Sequence, residues 1–499
     1  MYLCSDFKIE VMVVNSIGFL LFFIVVFSIY YLPVSKRHPR FQNLWLLLSS
    51  YFFYGMADWL MVPLLIGATV VFYALGLWLK SEMDKQYRKR ASLLTTLSVC
   101  IGIGLLLYFK YLNFFAESFA ELLSGIGLRA TWTTLNIVLP IGVSFFTFKL
   151  ISYIIEIHRE HIQPSKDFVE FATYIAFFPT LLSGPIDRPN TFIPQLRKSH
   201  SLDCYQAIDG CRQILWGLFT KVCIADHLAL ATDYIWADYS HLSGSTLLIW
   251  TLLYTMQIYT DFDGYSNMAI GVGKILGFNI TRNFNHPLLA RNIAEFWRNW
   301  HISLTSWITD YVFMPLNIAF RNMANWGVML AVTINIVLIG LWHGANWTFG
   351  LFGLYHAMLY VPLVLSGAFG KNKKLRPNDH GWPKLKDFSK MVLNYVLVSL
   401  GFIVFYANSI ADAFRFFSGI VSTSLFSMPE IPVKKITLLF ILIVLVLEWT
   451  TRKKEYALQV QQENIDKQLW KLIVFDYIVV AIIIWFGNFE SSQFIYFQF

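Results

Sequence analysis

Residues 340–352 read GLWHGANWTFGLF. The stretch is apolar enough for a membrane-spanning helix, yet a titratable imidazole, His343, lies at its centre between Trp342 and Gly344. Ionisable side chains are costly inside a bilayer, so those that occur there usually face the interior of a helix bundle or a cavity. The stretch therefore predicts a membrane protein that keeps a histidine within its helical bundle.

The composition of the whole chain predicts the same class. Of its 499 residues, 56% are hydrophobic and only 14% are charged, whereas an ordinary soluble domain carries about 25% charged residues. The mean hydropathy is +0.53. These values exclude a soluble protein and predict an all-α polytopic membrane protein. At about 20 residues per crossing plus loops, the chain has room for roughly ten to twelve spans, some of them re-entrant.

Apolar segments along the chain predict where the spans lie. The first, about 11–32, ends at a proline followed by basic residues and lacks a small-residue cleavage site, which favours a span over a signal peptide. The others are 41–57, 59–79, 91–109, 135–157, 168–183, 212–235, 246–260, 327–342, 347–369, 391–407, 434–450 and 470–487. Two of these, 41–57 and 168–183, are short or broken by Pro and Gly, which favours tilted, re-entrant or interfacial positions.

The charges of the loops predict the orientation of the chain. Five loops are basic, namely 35–40, 80–90, 158–166, 371–390 and 451–456, whereas 110–134 and 408–433 carry few Lys or Arg. Positively charged loops stay in the cytoplasm, so we expect these five loops there and the N-terminus outside. The net charge of +8 is explained in this way without a nucleic-acid partner.

We expect one transmembrane domain over residues 1–499, with N-terminal helices in 11–134, a catalytic core in 135–370 and C-terminal helices in 371–499. In the outward loop 408–433, Ile410, Phe414, Phe417 and Val421 recur at helical spacing, which predicts a helix on the outer membrane surface. The five cysteines show neither a CxxC pair nor Cys/His metal spacing. No disulfide framework and no metal site are expected.

Polar residues concentrate in 254–311, which carries Asp261, Asp263, Asp310, His286, His301, Lys274, Arg282, Arg291 and Arg298. Segment 293–311 is predicted to be one helix that places Trp297, Trp300 and His301 on one face. For His301, the residues alone favour a core histidine bonded to a backbone carbonyl over a place in a polar cavity. DFDG at 261–264 is a weak metal-binding pattern, and hydrogen bonding at a helix end is favoured.

His343 has a stronger chemical signal. A neutral imidazole can accept a proton from a hydroxyl near neutral pH, and such general-base help is worth about 10²–10⁴ in rate. Gly340 and Gly344 leave room for another chain segment or a ligand to approach closely. The residues alone leave catalysis and structure as equal alternatives for His343. His356, in GLYHAM, is interpreted as structural or supporting.

The stretch FFPTLLSGPIDRP, 177–189, predicts an irregular element, because prolines and a glycine interrupt its apolar run. Irregular backbone at membrane depth is tolerated only where protein or a cavity shelters it. Asp187 and Arg188 are expected to form an ion pair there.

Four stretches resemble, in this order, the signatures of the membrane-bound O-acyltransferases. They are FFPTLLSGPIDRPNTFIPQL, DFDGYSNMAIGVGKILGFNITRNFNHP, FWRNWHISLTSWITDYVFMPL and GLWHGANWTFGLFGLYHA. Within that superfamily the chain is similar to the bacterial alginate O-acetyltransferase membrane-subunit branch, also in its opening NSIGFLLFFIVVFSIYYLP and NLWLLLSSYFFYG and its closing FIYFQF. The resemblance runs from about residue 15 to the C-terminus. Four ordered motifs are far more specific than any one of them alone.

The resemblance implies helices around a central tunnel, an acyl thioester donor (usually acetyl-CoA) used from the cytoplasmic side, and an acceptor outside. The family's near-invariant histidine lies in its WHG motif, which makes His343 the expected catalytic residue. Its second characteristic histidine maps to His301, within NWHISLT, and now favours a functional role. The chain departs from the family pattern at Asn299, Asp263, Asn267 and 315–317, which leaves the tunnel lining and the acceptor open.

We therefore expect His343 to act as general base on the acceptor hydroxyl. His301, or an amide such as Asn346, is expected to bind the developing oxyanion. Asp310 is expected to orient a histidine, with Trp297 and Trp342 as supporting residues. For Arg282, Arg291 and Arg298, contact with the phosphates of CoA and ordinary cytoplasmic charge are equal alternatives.

The expected setting is a bacterial cytoplasmic (inner) membrane, with no tightly bound cofactor and acetyl-CoA as a donor substrate. The resemblance implies a periplasmic acetyltransferase partner resembling SGNH hydrolases, and a polysaccharide acceptor. Two rival functions remain. One is D-alanyl transfer to teichoic acid, whose enzymes are shorter and lack this extended C-terminal third. The other is proton-coupled transport, which typically shows inverted repeats and paired broken helices that are not visible in this sequence.

Overall fold

The computed structural model describes residues 14–33, 38–128, 137–370, 381–460 and 462–489, and no strand occurs in these ranges. The all-α prediction is therefore confirmed. The helices are α1 (Ile17–Tyr30), α2 (Pro39–Asp58), α3 (Val62–Asp84), α4 (Arg88–Leu106), α5 (Leu112–Gly125), α6 (Val143–His158), α7 (Phe168–Ala176), α8 (Phe178–Leu181), α9 (Pro189–Leu196), α10 (Cys204–Thr220), α11 (Asp226–Ala237), α12 (Gly244–Ile275), α13 (Ile293–Asn299), α14 (Ile302–Ile308), α15 (Met314–Ala319), α16 (Ala324–His343), α17 (Trp347–Leu365), α18 (Leu385–Tyr406), α19 (Ile410–Ile420), α20 (Lys435–Thr450) and α21 (Gln462–Phe486).

Several helices continue into tighter or wider turns. The π-helical segments Leu107–Tyr111, Lys221–Ala225 and Thr309–Phe313 join α4 to α5, α10 to α11 and α14 to α15. Such segments are rare and often occur at functional sites. Short 3₁₀ turns lie at Trp59–Met61, Pro287–Leu289, Arg321–Met323 and Thr423–Phe426.

Six helical runs in the described ranges are long and apolar enough to cross a membrane, which confirms a polytopic membrane protein. They are Pro39–Asp84, Arg88–Gly125, Cys204–Ala237, Arg321–His343, Trp347–Leu365 and Leu385–Tyr406. The first run breaks at Asp58, whose backbone is extended, so it contains two helices that each suit one crossing. Fewer runs than predicted qualify, in part because α1 has only 14 residues, 135–183 folds into three shorter helices, α6 to α8, and 434–450 forms a helix of 16 residues.

One compact unit consists of the described residues of Met1–Cys211 and Ala269–Thr281. Its centre is α6, which packs against α3 and α4 and buries almost every side chain. The predicted irregular element is present, because α7 ends at Ala176, α8 has only four residues, and non-helical backbone follows as far as α9.

A buried lysine of this unit was not expected from the sequence. Lys149 of α6 is 1% exposed, and its Nζ donates a hydrogen bond to Oγ1 of Thr180 at 3.0 Å. Asp187, predicted as a partner of Arg188, is buried and interacts electrostatically with Lys149. One of its carboxylate oxygens also accepts a hydrogen bond from the backbone N–H of Thr281 at 2.9 Å.

The other compact unit consists of the described residues of Arg212–Met268 and Arg282–Phe499. Helices α16 and α17, joined by the three residues 344–346, pack along each other as a helical hairpin, called the hairpin below. Helix α18 packs against α17, and α14 packs against α16. Both predicted catalytic histidines belong to this unit.

The predicted surface helix in loop 408–433 is present as α19. Its buried face carries Ala413, Phe416 and Ile420. Phe414 and Val421, on the predicted apolar face, are 64% and 79% exposed. Parts of the basic loops used for orientation, 35–37 and 371–380, and the closing FIYFQF lie outside the described residues.

Candidate active site

His301 lies at a break between two short helices, so the prediction of one helix over 293–311 is wrong. Helix α13 ends at Asn299, and Trp300 is extended. His301 itself is left-handed, with φ 44° and ψ 53°, and α14 begins at the next residue. This conformation costs a non-glycine residue about 1–2 kcal/mol, so it persists only where the surrounding structure imposes it. The break also separates His301 from Arg298, which is exposed.

The side chain of His301 is 1% exposed and is surrounded by aromatic rings. Its ring centroid lies 4.6 Å from that of Phe262, 5.5 Å from that of Trp342 and 6.4 Å from that of His343. Burial lowers the pKa of His301 to about 3. The imidazole is therefore neutral at physiological pH, with one nitrogen able to donate a hydrogen bond and the other able to accept one.

His343 is the last residue of α16 and is 5% exposed. Its ring lies 5.1 Å from that of Trp342 and 5.0 Å from that of Phe405, measured between centroids. The two histidines come from α16 and from the break before α14, more than forty residues apart in sequence. The fold thus brings together two buried imidazoles with aromatic rings around them.

The space left by the glycines beside His343 is filled by protein. A Cβ atom on Gly340 would lie 2.2 Å from the carbonyl oxygen of Phe349, and one on Gly344 would lie 2.1 Å from Cε2 of the Phe349 ring. Of the two alternatives for these glycines, the structure therefore selects close approach of another chain segment, helix α17. The Phe349 ring in turn lies 5.1 Å from that of Phe405, which contacts His343.

The structure uses the side chain of Asn346 to hold the hairpin. Its Oδ1 accepts a hydrogen bond from the backbone N–H of Thr348 and caps α17. Its Nδ2 donates to the carbonyl oxygen of Asn408 at 3.0 Å. The amide oxygen and one of the two N–H groups on Nδ2 are therefore engaged within the protein, whereas the His301 ring lies 6.4 Å from that of His343, so His301 is the better candidate for an oxyanion donor.

The other predicted site residues are spread around the pair. Trp342 contacts both histidines, whereas Trp297 is 2% exposed and packs on His356, with 5.4 Å between ring centroids. Asp310 is exposed, in the π-helical segment after α14. The fold does not bury it beside either imidazole.

The three predicted phosphate-binding arginines differ in their surroundings. Arg282 and Arg298 are exposed. Arg291 is mostly buried and forms ion pairs with Glu295 at 2.7 Å and with Asp387 at 3.7 Å. Only the first two present free surface to a phosphate.

Helix α12 carries polar contacts that the sequence analysis missed. Asp261 forms an ion pair with Nζ of Lys221 at 2.6 Å, and Lys221 also pairs with Asp226 at 2.7 Å. All three side chains are buried. The helix continues through DFDG, so the expectation that these aspartates lie at a helix end is wrong. Phe262, the residue after Asp261, is the ring that packs on His301.

A second buried cluster joins α12 to α20. Glu448 accepts a hydrogen bond from the Tyr259 hydroxyl at 2.8 Å, and its other oxygen lies 3.0 Å from Nδ1 of His286. Both Lys221 and Glu448 could have been identified from the sequence as buried polar residues, because each is an ionisable residue inside a predicted apolar segment. Nothing in the sequence marks Phe262 as a neighbour of His301.

Comparisons with known proteins place the chain in one family. Residues 158–365 match the model of the membrane-bound O-acyltransferase family, and this region contains both histidines. The chain is 35% identical over 429 residues to the probable alginate O-acetylase AlgI of Pseudomonas aeruginosa, covering 84% of this chain and 77% of that protein. It is 30% identical to the peptidoglycan O-acetyltransferase of Helicobacter pylori, covering 81% and 77%. It is also 30% identical to the teichoic acid D-alanyltransferase of Bacillus subtilis, covering 54% and 69%.

Proposed function

Because this chain belongs to the membrane-bound O-acyltransferase family and is an acyltransferase, we propose that it moves acetyl groups from cytoplasmic acetyl-CoA across the membrane for O-acetylation of an extracytoplasmic polysaccharide. The observation that carries the proposal is the pair of buried imidazoles, His301 and His343, whose ring centroids are 6.4 Å apart. Both lie in the region that matches the family model. A pair at this spacing can address one small carbonyl group from two sides.

In the proposed reaction, the acceptor hydroxyl oxygen bonds to the acetyl carbonyl carbon while its proton passes to His343. His301 donates a hydrogen bond to the oxyanion that forms on the carbonyl oxygen. The carbon–sulfur bond then breaks, and the thiolate takes the proton back from His343. The products are an acetyl ester and free CoA. The aromatic surroundings exclude water, which would otherwise compete for the thioester.

Acetyl is favoured over D-alanyl by the coverage of the relatives. The two O-acetyl-transferring relatives cover 84% and 81% of this chain, whereas the D-alanyltransferases cover 54% and 59%. The O-acetyl-transferring relatives therefore match a larger share of this chain than the D-alanyltransferases do. Transport is not carried forward, because the family is one of acyltransferases.

For the donor side, the exposed Arg282 and Arg298 are the better candidates for the phosphates of CoA, since Arg291 is held by two carboxylates. Arginine forks suit phosphate oxygens. The proposed setting is the bacterial cytoplasmic membrane with the N-terminus outside, following the basic loops. A separate extracytoplasmic transferase resembling SGNH hydrolases is proposed to complete delivery to the polysaccharide.

The test is base-labile acetate on the extracellular and wall polysaccharides of the host. A deletion strain is complemented with the wild-type chain, His343→Ala or, as a matched control, His241→Ala, whose side chain is 79% exposed. At equal membrane abundance, we expect acetate to be restored by the wild type and His241→Ala and not by His343→Ala. Full restoration by His343→Ala would refute the role of this histidine.

The same strains distinguish the rival acyl group. If the deletion leaves acetate unchanged but removes base-labile D-alanine from the wall, the D-alanyl function replaces acetyl transfer. If purified chain in lipid nanodiscs releases CoA from acetyl-CoA with a soluble glycan acceptor or with the partner, the donor assignment stands. A donor that reacts only as a carrier-protein thioester would contradict it.

A further inference from the structure

The strained backbone at His301 requires an explanation in the structure around it. The left-handed conformation is rare for residues with a side chain, and here it occurs at a buried histidine. Strain of this kind clusters at functional sites and persists only when neighbouring contacts determine it. The relevant contacts come from a separate segment, residues 283–285.

Residues Asn283–Asn285 run alongside residues 299–303 and bond to them on both sides of the strained residue. Before it, the backbone N–H of Asn285 donates to the carbonyl oxygen of Asn299 at 3.1 Å. After it, the backbone N–H of Ile302 donates to the carbonyl oxygen of Asn283 at 2.8 Å. These two bonds fix the chain on either side of Trp300 and His301. We call residues 283–285 with 299–303 the bracket.

Side chains reinforce the bracket on the side that follows His301. The hydroxyl of Ser303 donates to Oδ1 of Asn283 at 2.6 Å, and Nδ2 of Asn283 donates to the hydroxyl of Ser266 on α12 at 3.0 Å. Asn283 is 0% exposed, and Ser303 and Ser266 are buried. A buried amide with these partners has little freedom to rotate. It therefore ties the start of α14 to α12.

Aromatic packing closes the middle of the bracket. The ring of Phe284 lies 5.1 Å from that of Trp300 and 5.2 Å from that of Phe262, measured between centroids. Phe262 is the ring that packs on His301 at 4.6 Å. Residues 283–285 thus hydrogen-bond to the backbone around His301, and the Phe284 ring packs on the aromatic rings next to it.

We propose that Asn283 is a positioning residue for acyl transfer, whose side chain holds His301 in its left-handed conformation and so aims the imidazole at the thioester carbonyl. This proposal rests on the proposed function. Asn283 has no chemical role of its own. It acts through His301, because the bond that its side chain accepts comes from Ser303, two residues beyond the histidine.

The decisive experiment is a double-mutant cycle on purified protein in nanodiscs, with CoA release from acetyl-CoA as the readout. Asn283→Ala is expected to lower kcat by about 10- to 100-fold, the scale of a catalytic group misplaced by about 1 Å, with KM for acetyl-CoA nearly unchanged. In a His301→Ala background, the same change is expected to lower kcat by less than about 3-fold, because residues that act as a unit are not additive. Asn279→Ala, which changes an exposed asparagine four residues earlier in the chain, is the matched control.

Additive losses in the cycle would overturn the proposal, since Asn283 would then act independently of His301. An unchanged kcat in Asn283→Ala would overturn it as well. Failure of the proposed function looks different, because the wild type itself would then release no CoA from acetyl-CoA under any condition. Monodisperse elution at wild-type abundance is required of every variant in the cycle.

Asn283→Asp keeps the proposal testable if Asn283→Ala fails to fold. A protonated aspartic acid has nearly the shape of asparagine, with one acceptor and one donor, whereas the ionised form loses the donor to Ser266. We therefore expect kcat of Asn283→Asp to approach that of the wild type at low pH and to fall, relative to the wild type, as pH rises. A constant ratio of the two kcat values between pH 5 and pH 9 would contradict the positioning role.

Discussion

The rings of His301 and His343 lie 6.4 Å apart, measured between centroids, but the chain holds them by different means. His343 ends a regular helix, and its position follows from glycines that let α17 approach α16. His301 lies in a strained break that the bracket holds through hydrogen bonds to Asn283 and Asn285. One imidazole is placed by apolar packing and the other by polar contacts. The two regions should therefore respond differently when a methyl group is added, when a charge is removed, or when a residue that disfavours the left-handed conformation is introduced.

The largest effect is expected at the buried ion pairs of Lys221 with Asp226 and Asp261. Lys221→Met leaves Asp226 and Asp261 as buried carboxylates without their shared cation, and breaking a buried pair in this way costs about 3–5 kcal/mol. We expect little folded protein, measured as the monodisperse fraction after heating in detergent.

The matched control for that charge loss is the triple change Lys221→Met, Asp226→Asn and Asp261→Asn, which removes all three charges together. It should recover much of the folded fraction. If Lys221→Met alone melts like the wild type, these ion pairs do not stabilise the folded protein.

On the apolar side, Gly340→Ala is expected to destabilise the hairpin by about 1–3 kcal/mol or more, because overpacking cannot relax against backbone. The added Cβ would lie 2.2 Å from the carbonyl oxygen of Phe349. Gly350→Ala is the control on the same hairpin, since its Cβ would meet only Cδ2 of Leu341 at 3.5 Å. Equal melting temperatures for the two variants would contradict the packing account of His343.

Backbone freedom separates the two histidines most directly. His301→Val should be less stable than His301→Asn by about 1–2 kcal/mol, because asparagine tolerates the left-handed conformation and a β-branched residue does not. The same two substitutions at His343, which ends a regular helix, should not show this backbone penalty. Both His301 variants should lose activity. The measurement is thermal unfolding of all four variants, and a similar Val–Asn gap at both positions would contradict the difference in backbone strain.

The smallest effect is expected in the pH dependence of stability, at the buried cluster of Glu448 with Tyr259 and His286. Burial acts to lower the pKa of His286, but the hydrogen bond and the charge of Glu448 outweigh it, so the pKa is raised above its ordinary value. Protonated His286 therefore adds stability that is complete below about pH 6.5 and is lost as pH rises through the raised pKa.

Glu448→Gln removes that contribution, so its melting temperature should fall further below the wild type at pH 6 than at pH 9. Glu430→Gln, which changes an exposed carboxylate, is the control and should show no such trend. A larger deficit at pH 9 would reverse the sign of the expected linkage.

Local patterns were enough to predict much of the helical framework. The apolar segments 41–57 and 327–342 lie within α2 and α16, and most of 59–79 and 391–407 lies within α3 and α18, because about 20 apolar residues in a bilayer leave the backbone no alternative to a helix. The exposed apolar face of α19 also followed from helical spacing. The prediction failed at 293–311, where apolar residues keep helical spacing across His301 although the helix itself is interrupted there.

The candidate site was predictable as residues but not as an arrangement. His301 and His343 stand out in the sequence because imidazoles in apolar surroundings are unusual. The roles of Asn346 and Arg291 could be read only in part, because each has a local partner, Thr348 and Glu295, and also a partner distant in sequence, Asn408 and Asp387. Neither distant partner has a sequence signal that points to the other residue.

By itself, the sequence determined the membrane class, the helical segments, the family and the two histidines, because composition, periodicity and ordered motifs are local properties of the chain. Only the tertiary structure decided that Phe349 fills the space beside Gly340 and Gly344, that Phe262 covers His301, and that Asn283 holds the break. The physical reason is that a strained backbone is stable only through contacts from other segments. Those contacts form when the helices pack, and no local pattern encodes them.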